Sequence, residues 1–354
     1  MVLSREFWTG RRVFLTGHSG FKGGWLALWL SELGAEVWGY SLAPQGESTL
    51  YASLRLDGLT SGEFADVRDA DHLLRSLQAF RPEVVLHLAA QPLVRESYRA
   101  PADTYATNVT GTLNLLEAVR QCDAVRAVLV VTSDKCYENR EWSWPYREQD
   151  ALGGHDPYSS SKACVEVLCA SWRASFLAEC GIALGTARAG NVIGGGDWSV
   201  DRLLPDILRA WDDGQSLTLR YPGAVRPWQH VLDPLHGYLL LAQALVERGQ
   251  AVAQAWNFGP DSAGTASVAE VVERMAALWP EQARWSIEAH EQPHEAGLLT
   301  LDSSRARRTL GWQPRWDLPQ TLQRTLDWHR AWREGQDMQC YSRVQIAAFE
   351  GENR

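Results

Sequence analysis

A short apolar strand leads directly into a loop of three evenly spaced glycines, and this pattern narrows the possible folds more than any other part of the sequence. The strand is Arg12–Thr16, and Gly17, Gly20 and Gly23 follow it at intervals of three residues. A helical pattern and a second apolar strand, which ends at Tyr40, come next. Strand, glycine loop, helix and strand in this order predict a dinucleotide-binding βαβ unit, whereas the glycines alone would fit any tight turn. Gly17 would permit the turn, Gly20 would let the backbone approach a pyrophosphate, and Gly23 would let the helix pack closely on the strand.

The loop and the end of the second strand also indicate which cofactor to expect. A helix that starts at the glycines points its N-terminal amides at the bound phosphates. Residues 39–42 contain no Asp or Glu to hold a ribose 2′-hydroxyl, and residues 24–54 contain no Arg or Lys to receive a 2′-phosphate. The lack of positive charge favours NAD over NADP. The loop residues expected to bind NAD are Gly17, Ser19, Gly20, Phe21, Lys22 and Gly23.

The rest of the N-terminal half alternates strand and helix patterns. Apolar strands at residues 61–65, 83–88, 125–132 and 182–189 are separated by helical stretches. This alternation predicts an α/β fold with a Rossmann-like, doubly wound parallel sheet, in which ligands bind at the carboxyl ends of the strands. His87 lies inside a strand and is interpreted as a core histidine with satisfied hydrogen bonds. Further cofactor contacts are expected at Asp66, Val67, Leu88, Ala89 and Ala90.

One stretch carries residues suited to proton transfer. Tyr158 and Lys162 are four residues apart, so on a helix they lie on one face and can share a site. A nearby ammonium group favours the phenolate and so lowers the pKa of a tyrosine. Ser133 and Asp134 follow the strand at 125–132 and can supply a hydrogen bond and a proton. The sequence therefore predicts a tyrosine base where this strand meets the helix.

The alternating pattern becomes less regular after residue 190. Residues 1–190 are predicted to form a nucleotide-binding domain that also carries the proton-transfer residues. Residues 191–340 are predicted to form mostly a smaller, mixed α/β substrate-binding domain, from which residues 256–259 cross back as a strand. Residues 341–354 are expected to be a loosely held tail.

Composition and charge limit the class of protein. The 354 residues carry a net charge of −9, which disfavours nucleic acid and anionic membranes as partners. No apolar stretch is long enough to span a membrane, and the first residues lack the apolar segment of a signal peptide. The six cysteines show neither a C-x-x-C pair nor metal-ligand spacing, which predicts free thiols and no metal site. We therefore expect a cytoplasmic enzyme.

Several motifs, in order along most of the chain, together resemble one enzyme family. They are TGHSGFKG at 16–23, LAAQ at 88–91, Asn108, Ser133 and YSSSK at 158–162. With this set the chain resembles the extended short-chain dehydrogenase/reductase family. Within it, the chain is similar to the nucleotide-sugar 4,6-dehydratases, and most of all to those that act on a CDP-sugar. The stretches that carry this similarity are TSDKCYENREW at 132–142, GGHDPYSSSKA at 153–163, NVIGGGDW at 191–198, RPWQHVLDP at 226–234 and LGWQPRW at 310–316.

The resemblance implies a reaction and roles for residues. Asn108, Ser133, Tyr158 and Lys162 correspond to the family's catalytic tetrad, and the family binds NAD and commonly forms a homodimer or a higher homo-oligomer. In the implied reaction Tyr158 takes the 4-hydroxyl proton while hydride leaves C4 for NAD. Water is then lost across C5 and C6, and the hydride returns to C6. Asp134 would protonate the departing 6-hydroxyl, which requires that the pKa of its carboxyl is raised.

Lys135 occupies a position at which the dTDP-glucose enzymes of the family carry an acid, whereas the CDP-sugar group also has Asp-Lys. A lysine can remove the C5 proton only as the neutral amine, which requires a strongly lowered pKa. Alternatively Lys135 stays charged and stabilises the enolate, while Glu138 or Glu141 removes the proton. Both assignments remain open at this point.

Substrate contacts are expected in the C-terminal half, with one residue in the first half. Arg226 is the best candidate for the diphosphate, since a guanidinium group matches phosphate oxygens. The other expected substrate contacts are Gln91, Asn191, Arg202, Trp228 and His230.

The main alternatives are other nucleotide-sugar enzymes and a protein without catalytic activity. Dehydratases of dTDP-, GDP- or UDP-sugars are one alternative, and the inverting sugar dehydratases also carry Asp-Lys. A UDP-sugar C4-epimerase would not need Asp134 and Lys135. A non-catalytic NAD-sensing protein would not need Ser133, Tyr158 and Lys162 together.

Overall fold

A parallel sheet of seven strands forms the centre of the protein, whose computed structural model describes residues 1–46, 48–261, 264–279, 283–287 and 297–351. The strands of the described chain are β1 (Arg12–Thr16), β2 (Glu36–Ser41), β3 (Ser61–Phe64), β4 (Val84–His87), β5 (Ala127–Val131), β6 (Ala183–Ala189), β7 (Val192–Ile193), β8 (Leu217–Leu219), β9 (Val225–Pro227), β10 (Gln229–His230), β11 (Ala255–Phe258), β12 (Thr265–Ser267) and β13 (Trp285–Ile287). The central sheet has the order β11-β6-β5-β4-β1-β2-β3, and every neighbouring pair in it is parallel.

The strand order creates a switch point between β1 and β4. From β1 the chain builds outward through β2 to β3, then returns to β4 and continues in the opposite direction to β11. The loops after β1 and β4 therefore leave neighbouring strand ends in opposite directions and open a crevice at the carboxyl edge of the sheet. This architecture confirms the predicted α/β, Rossmann-like fold.

Helices cover both faces of the sheet, because alternate residues of the central strands point to opposite sides. In β5, Leu129 belongs to one apolar core, whereas Val128 and Val130 belong to the other. The helices of the described chain are α1 (Arg5–Trp8), α2 (Phe21–Glu32), α3 (Leu50–Ser53), α4 (Ala70–Phe80), α5 (Val94–Arg99), α6 (Pro101–Tyr105), α7 (Gly111–Arg120), α8 (Pro157–Trp172), α9 (Leu203–Asp212), α10 (Leu232–Arg248), α11 (Val268–Leu278), α12 (Ser304–Leu310), α13 (Leu318–Arg333) and α14 (Met338–Gly351). Helices α2 and α10 pack on the Leu129 side, and α4, α7 and α8 pack on the other.

The helices after residue 190 contribute to two different cores. Helices α9, α11 and α13 share an apolar cluster of their own, whereas α10 and α14 belong to the core that contains α2. Three two-stranded pairs, β7 with β10, β8 with β13 and β9 with β12, lie outside the central sheet. Strand β11 returns to the central sheet and pairs with β6, with Phe258 opposite Ala189. How the chain divides into domains stays a prediction.

The residues expected to form a loose tail form a packed helix instead. Helix α14 contributes Met338, Ile346 and Phe349 to the core around α2. The indole Nε1 of Trp29 also donates a hydrogen bond to Glu350 Oε1 at 2.8 Å. The expectation of a tail is therefore wrong for residues 341–351, because apolar side chains there bury against α2. Residues 352–354, also assigned to the tail, lie outside the described residues.

Two further expectations concern His87 and the membrane. The His87 ring lies within hydrogen-bond distance of Thr16 Oγ1 (2.7 Å) and Thr112 Oγ1 (3.0 Å). Burial lowers the pKa of His87 to about 3, so the ring is neutral. This confirms the interpretation of His87 as a satisfied core histidine. Among the residues that the structure describes, no helix has the length and the apolar character needed to cross a bilayer.

Candidate active site

The glycine loop after β1 is packed as the βαβ pattern predicts. Gly17 has a φ of +76°, and a Cβ there would lie 2.7 Å from the backbone nitrogen of Ala89. A Cβ at Gly23 would collide with the carbonyl of Gly17, whereas Gly20 has no such close neighbour. Only glycine therefore fits at positions 17 and 23, where β1, β4 and the start of α2 approach one another.

One cavity of about 570 Å³ lies over the carboxyl edge of the sheet. Of the residues to which the sequence assigned a catalytic or binding role, all but Asn108, Gln91 and His230 line this cavity. Those that line it are Gly17, Ser19, Gly20, Phe21, Lys22, Gly23, Asp66, Val67, Leu88, Ala89, Ala90, Ser133, Asp134, Lys135, Tyr158, Lys162, Asn191, Arg202, Arg226 and Trp228.

Helix α8 presents Tyr158 and Lys162 to this cavity. The helix starts at Pro157, and the side chain of Asp156 caps it by accepting a hydrogen bond from the backbone N–H of Ser159 at 2.9 Å. Both side chains are buried, and the Lys162 ammonium donates to the backbone carbonyl of Val131 at 3.3 Å. The cap therefore fixes where the Tyr158 face of the helix begins.

The pKa of Tyr158 differs from the expectation. Burial raises the pKa of Tyr158 to about 12, and the opposing influences are a hydrogen bond with Ser133 and the charge of Arg202. The sequence predicted that Lys162 lowers this pKa. The pKa is raised instead, and the cation that opposes the effect of burial is Arg202. Burial also lowers the pKa of Lys162 to about 8, because the ammonium loses hydration.

Asp134 has the properties that an acid requires. Its side chain is 3% exposed, and burial raises the pKa of its carboxyl above the ordinary value. The Ser133 hydroxyl donates to Asp134 Oδ1 at 3.0 Å. A Cβ at Gly190 would lie 2.7 Å from Asp134 Oδ2, so the glycine after β6 provides the space for this carboxyl. Burial therefore shifts the carboxyl of Asp134 toward its protonated form, in the direction that an acid requires.

Lys135 lines the cavity, whereas the two glutamates considered as alternative bases do not. Glu138 pairs with Arg140 at 3.1 Å, and its side chain is 53% exposed. Glu141 accepts a hydrogen bond from the backbone N–H of Gly297. Of these three candidates, only Lys135 is placed to reach a molecule in the cavity.

Asn108 and Gln91 stabilise the loop after β4 and do not line the cavity. Asn108 is 1% exposed in the π-helical turn Ala106–Thr110, and its Oδ1 accepts from the backbone N–H of Gln91 at 2.8 Å. Its Nδ2 donates to Ser161 Oγ at 2.8 Å, which ties the loop to α8. The Gln91 side-chain amide donates to the carbonyl of Leu93 and to Thr104 Oγ1, and its oxygen accepts from the backbone N–H of Leu93. The geometry therefore does not support Gln91 as a substrate contact, and it places Asn108 behind the site.

His230 lies away from the cavity, in contrast to the sequence-based expectation. The ring is fully buried between Trp25 and Trp316, and its Nδ1 accepts from the backbone N–H of Leu232 at 3.2 Å. The two residues lie beside different strand pairs: Trp228 follows β9, which pairs with β12, whereas His230 lies in β10, which pairs with β7. Trp228 Nε1 donates to the carbonyl of Ala266 at 3.0 Å, which holds its ring in place.

The cavity also contains Arg95 and Asp201, two charged residues that sequence reasoning missed. Arg95 and Arg220 both approach Asp201 Oδ1, at 3.7 and 2.9 Å, and all three line the cavity. Arg202 and Arg226 also line the cavity, and Arg226 donates to the carbonyl of Val225 at 3.0 Å. No spacing in the sequence marks Arg95, because its role depends on α5 lying next to a loop more than a hundred residues later.

Other features of the described residues concern metals and thiols. All six cysteines are free thiols, as predicted. Among the residues described, no three His, Cys, Asp or Glu side chains come together as a metal-binding group.

Comparisons with known proteins agree with this geometry. The sequence profile of the GDP-mannose 4,6 dehydratase family matches residues 14–325. A CDP-glucose 4,6-dehydratase from Salmonella typhimurium is 48% identical over 98% of this chain and 98% of its own length. A dTDP-glucose 4,6-dehydratase from Xanthomonas campestris is 27% identical over 91% of this chain and 94% of its own.

Solved structures show the same fold at lower identity. One is a UDP-glucose-4-epimerase from Stenotrophomonas maltophila, solved with NAD and formylated UDP-arabinopyranose. It superposes with a TM-score of 0.81 at 23% identity, and the match covers 92% of this chain and 99% of the epimerase chain. A dTDP-glucose 4,6-dehydratase from Bacillus anthracis, solved with NAD, has a TM-score of 0.76 at 20% identity over 93% of this chain and 100% of its own. The chain thus belongs to the GDP-mannose 4,6-dehydratase family, the nucleotide-sugar 4,6-dehydratases of the extended short-chain dehydrogenases/reductases.

Proposed function

We propose that the protein is a CDP-glucose 4,6-dehydratase, a hydro-lyase that converts CDP-D-glucose into CDP-4-keto-6-deoxy-D-glucose and water, as in deoxysugar biosynthesis. The observation that carries the proposal is that Asp134 and Lys135 line the same cavity as Tyr158. An acid and a second ionisable group beside the tyrosine are what elimination needs and what a plain dehydrogenase does not. The 48% identity to the Salmonella typhimurium CDP-glucose 4,6-dehydratase supports the choice of substrate.

NAD fits the part of the cavity that the glycine loop lines. The glycines at 17 and 23 leave a cradle that a Cβ would fill, and the neutral residues Ser41 and Leu42 lie where a 2′-phosphate would need a cation. Bound there, NAD would supply the hydride acceptor for oxidation at C4 of the sugar and the hydride donor for reduction at C6. The residues that would hold it are those of the glycine loop (17–23), Asp66, Val67, Leu88, Ala89, Ala90, Tyr158 and Lys162.

Three side chains carry the proton transfers. Tyr158, hydrogen-bonded with Ser133, takes the proton of the 4-hydroxyl. Asp134 is the acid that protonates the departing 6-hydroxyl, a role that its buried position favours. Lys135 is the group that acts at C5, either as the base or as the cation beside the enolate.

Arginines would bind the diphosphate of the substrate. In the described part of the chain, Arg202 Nε is buried and has no hydrogen-bond partner, so it can donate to an anion. Arg226, Trp228 and Asn191 line the same cavity, and Arg95 and Arg220 add positive charge. In a protein of net charge −9, this local cluster gives an anionic ligand its favourable site.

A nucleotide-sugar C4-epimerase is the second candidate, because the structural likeness to a UDP-glucose-4-epimerase is high. An epimerase moves hydride without losing water, so it does not need an acid at 134 or a lysine at 135. Dehydratases of dTDP-, GDP- and UDP-sugars remain the alternatives within the same reaction class.

A panel of nucleotide sugars separates these candidates. With NAD, CDP-glucose is expected to give a 4-keto sugar, which is detected by its absorbance in alkali. The Tyr158→Phe variant is expected to lower turnover by at least about 10³-fold while it still binds NAD. Turnover of a UDP- or dTDP-sugar with none of CDP-glucose would refute the cytidine assignment. Conversion of a sugar into its C4 epimer without a keto product would establish the epimerase.

We also infer the setting of the enzyme. The free cysteines are in keeping with a cytoplasmic enzyme. Exposed apolar residues in and just after α8, Val167 and Phe176, are in keeping with a homodimer or higher homo-oligomer built through helices of the nucleotide-binding half. The division into a nucleotide-binding part up to 190 and a substrate-binding part after it is retained as a proposal, since Asn191, Arg202 and Arg226 all follow residue 190.

A further inference from the structure

A buried ion pair lies directly behind Lys162, outside the cavity. Glu166 is one helical turn after Lys162 on α8, and its carboxylate meets the Arg188 guanidinium at 2.7 Å. Each of the two side chains is 3% exposed. Burial of two charges is costly unless their hydrogen bonds are satisfied, so a pair at this place calls for an explanation.

The Glu166 carboxylate is held by three donors. Its Oε1 accepts from Thr132 Oγ1 at 2.5 Å, and its Oε2 accepts from Thr186 Oγ1 at 2.8 Å and from Arg188. Burial alone would raise the pKa of Glu166, but the hydrogen bond and charge of Arg188, with the two threonines, bring it below the ordinary value. Glu166 is therefore ionised, in a region without water to screen it.

Lys162 is the cation closest to this charge along the helix. Its ammonium is buried, and the one hydrogen bond to Val131 does not replace its hydration. Burial lowers the pKa of Lys162, and Glu166 is the strongest of the groups that oppose this change. The ionisable groups that face Lys162 from the elements around it are Glu166, Cys169 and Tyr158 on α8, Cys136 after β5, His87 on β4 and Lys22 in the glycine loop.

We propose that Glu166 is a positioning residue for the reaction, which keeps Lys162 protonated at the wall of the cavity, and that Arg188 keeps Glu166 ionised. The proposal rests on the proposed function, in which Lys162 is, with Tyr158, one of the residues that would hold NAD. Through this arrangement a charge that never touches the substrate sets the pH range in which the site works. Arg188, at the cation end of the network, also donates to Tyr137 Oη at 2.8 Å and is thereby fixed in place.

Glu166→Gln tests the proposal, with Thr186→Val as the matched control. Without the carboxylate the ammonium of Lys162 is less stable, so its pKa falls and it loses its proton at a lower pH. We expect the alkaline limb of the kcat profile to move to lower pH by about one unit. Thr186→Val removes one hydrogen bond to Glu166 but no charge, so its alkaline limb is expected to stay where the wild type has it.

A double variant distinguishes this role from a purely structural one. If Glu166→Gln fails to fold because Arg188 is left unpaired, Glu166→Gln with Arg188→Met removes both buried charges and is expected to recover the fold. Its alkaline limb is expected to lie below that of the wild type, since the carboxylate is still missing. A limb at the wild-type position in either folded variant overturns the proposal. A wild type that makes no keto sugar from any nucleotide sugar refutes the proposed function instead.

Discussion

At the scale of single residues, burial and nearby polar groups act in opposite directions on the pKa of Tyr158. Burial raises the pKa of Tyr158 to about 12, and Ser133 and Arg202 act against it. Each pKa unit corresponds to about 1.4 kcal/mol. Because Arg202 lies among the cavity arginines, the acidity of the tyrosine depends on the substrate side of the site as well as on α8.

Lys135 is the residue whose role a substitution defines most directly. Lys135→Met keeps the length and removes the amine, so oxidation at C4 is expected to proceed while elimination stops. Reduced cofactor and a 4-keto sugar that still carries its 6-hydroxyl are expected to accumulate, with net turnover lower by about 10²-fold or more. Absorbance of reduced NAD in a single turnover gives the measurement.

Glu138→Gln is the matched control for Lys135→Met, because Glu138 is exposed and paired with Arg140. It is expected to turn over like the wild type. Unaltered turnover in Lys135→Met, or a loss in Glu138→Gln instead, would assign the C5 chemistry to another group.

At the scale of elements, helix α14 makes the clearest stability test. Phe349 is fully buried against Trp29 and Trp316, whereas Val344 on the same helix is 63% exposed. Phe349→Ala is expected to lower the free energy of unfolding by about 3–5 kcal/mol, because it removes a buried ring and leaves a cavity. Val344→Ala is expected to change it by less than about 0.5 kcal/mol. Denaturant unfolding followed by circular dichroism measures both, and similar losses in the two variants would contradict the packing described.

The same helix marks the limit of prediction for the elements. The central strands were predictable because parallel strands buried on both faces read as apolar runs, and Val84–His87 and Ala127–Val131 lie within the predicted strands. Helix α14 was missed because the elements that cover its apolar residues lie far from it in the sequence. Short strand pairs, such as Val192–Ile193 with Gln229–His230, contain too few residues for a repeating hydrophobic pattern.

At the scale of the whole molecule, the cavity joins residues from Gly17 to Val268, so ligands bind the folded chain and not its parts. NAD and CDP are each expected to raise the Tm, with about 2.7 kcal/mol added to the free energy of unfolding at about 100 times the Kd. Gly23→Ala is expected to abolish the shift with NAD but keep the shift with CDP, since the added Cβ collides with the carbonyl of Gly17.

Gly58→Ala is the control for this experiment, because an added Cβ there meets no atom within 4 Å. It is expected to keep both shifts. A Gly23→Ala protein that still responds to NAD would show that the glycine loop does not carry the cofactor, and differential scanning fluorimetry records all of these values.

The candidate site was predictable where its residues lie near strand ends and less so where distant loops meet. Gly17, Ser133 and Tyr158 could be placed from local patterns, because the carboxyl edge of a parallel sheet gathers them. Arg95 and Asp201 could not, since only the folded chain shows that they meet across the cavity. His230 was misplaced because two short strands with different partners lie within a few residues, which a motif does not reveal.

The position of β11 and α14 has a consequence for synthesis of the chain. The central sheet lacks its last strand until Phe258 has left the ribosome, and the α2 side lacks the part of its cover that α14 provides until Phe349 has followed. Trp29 therefore lacks its contacts with Phe349 and Glu350 until the last helix has been made. Because contacts between parts of the chain that are far apart in the sequence form slowly, we expect the last steps of folding to follow synthesis.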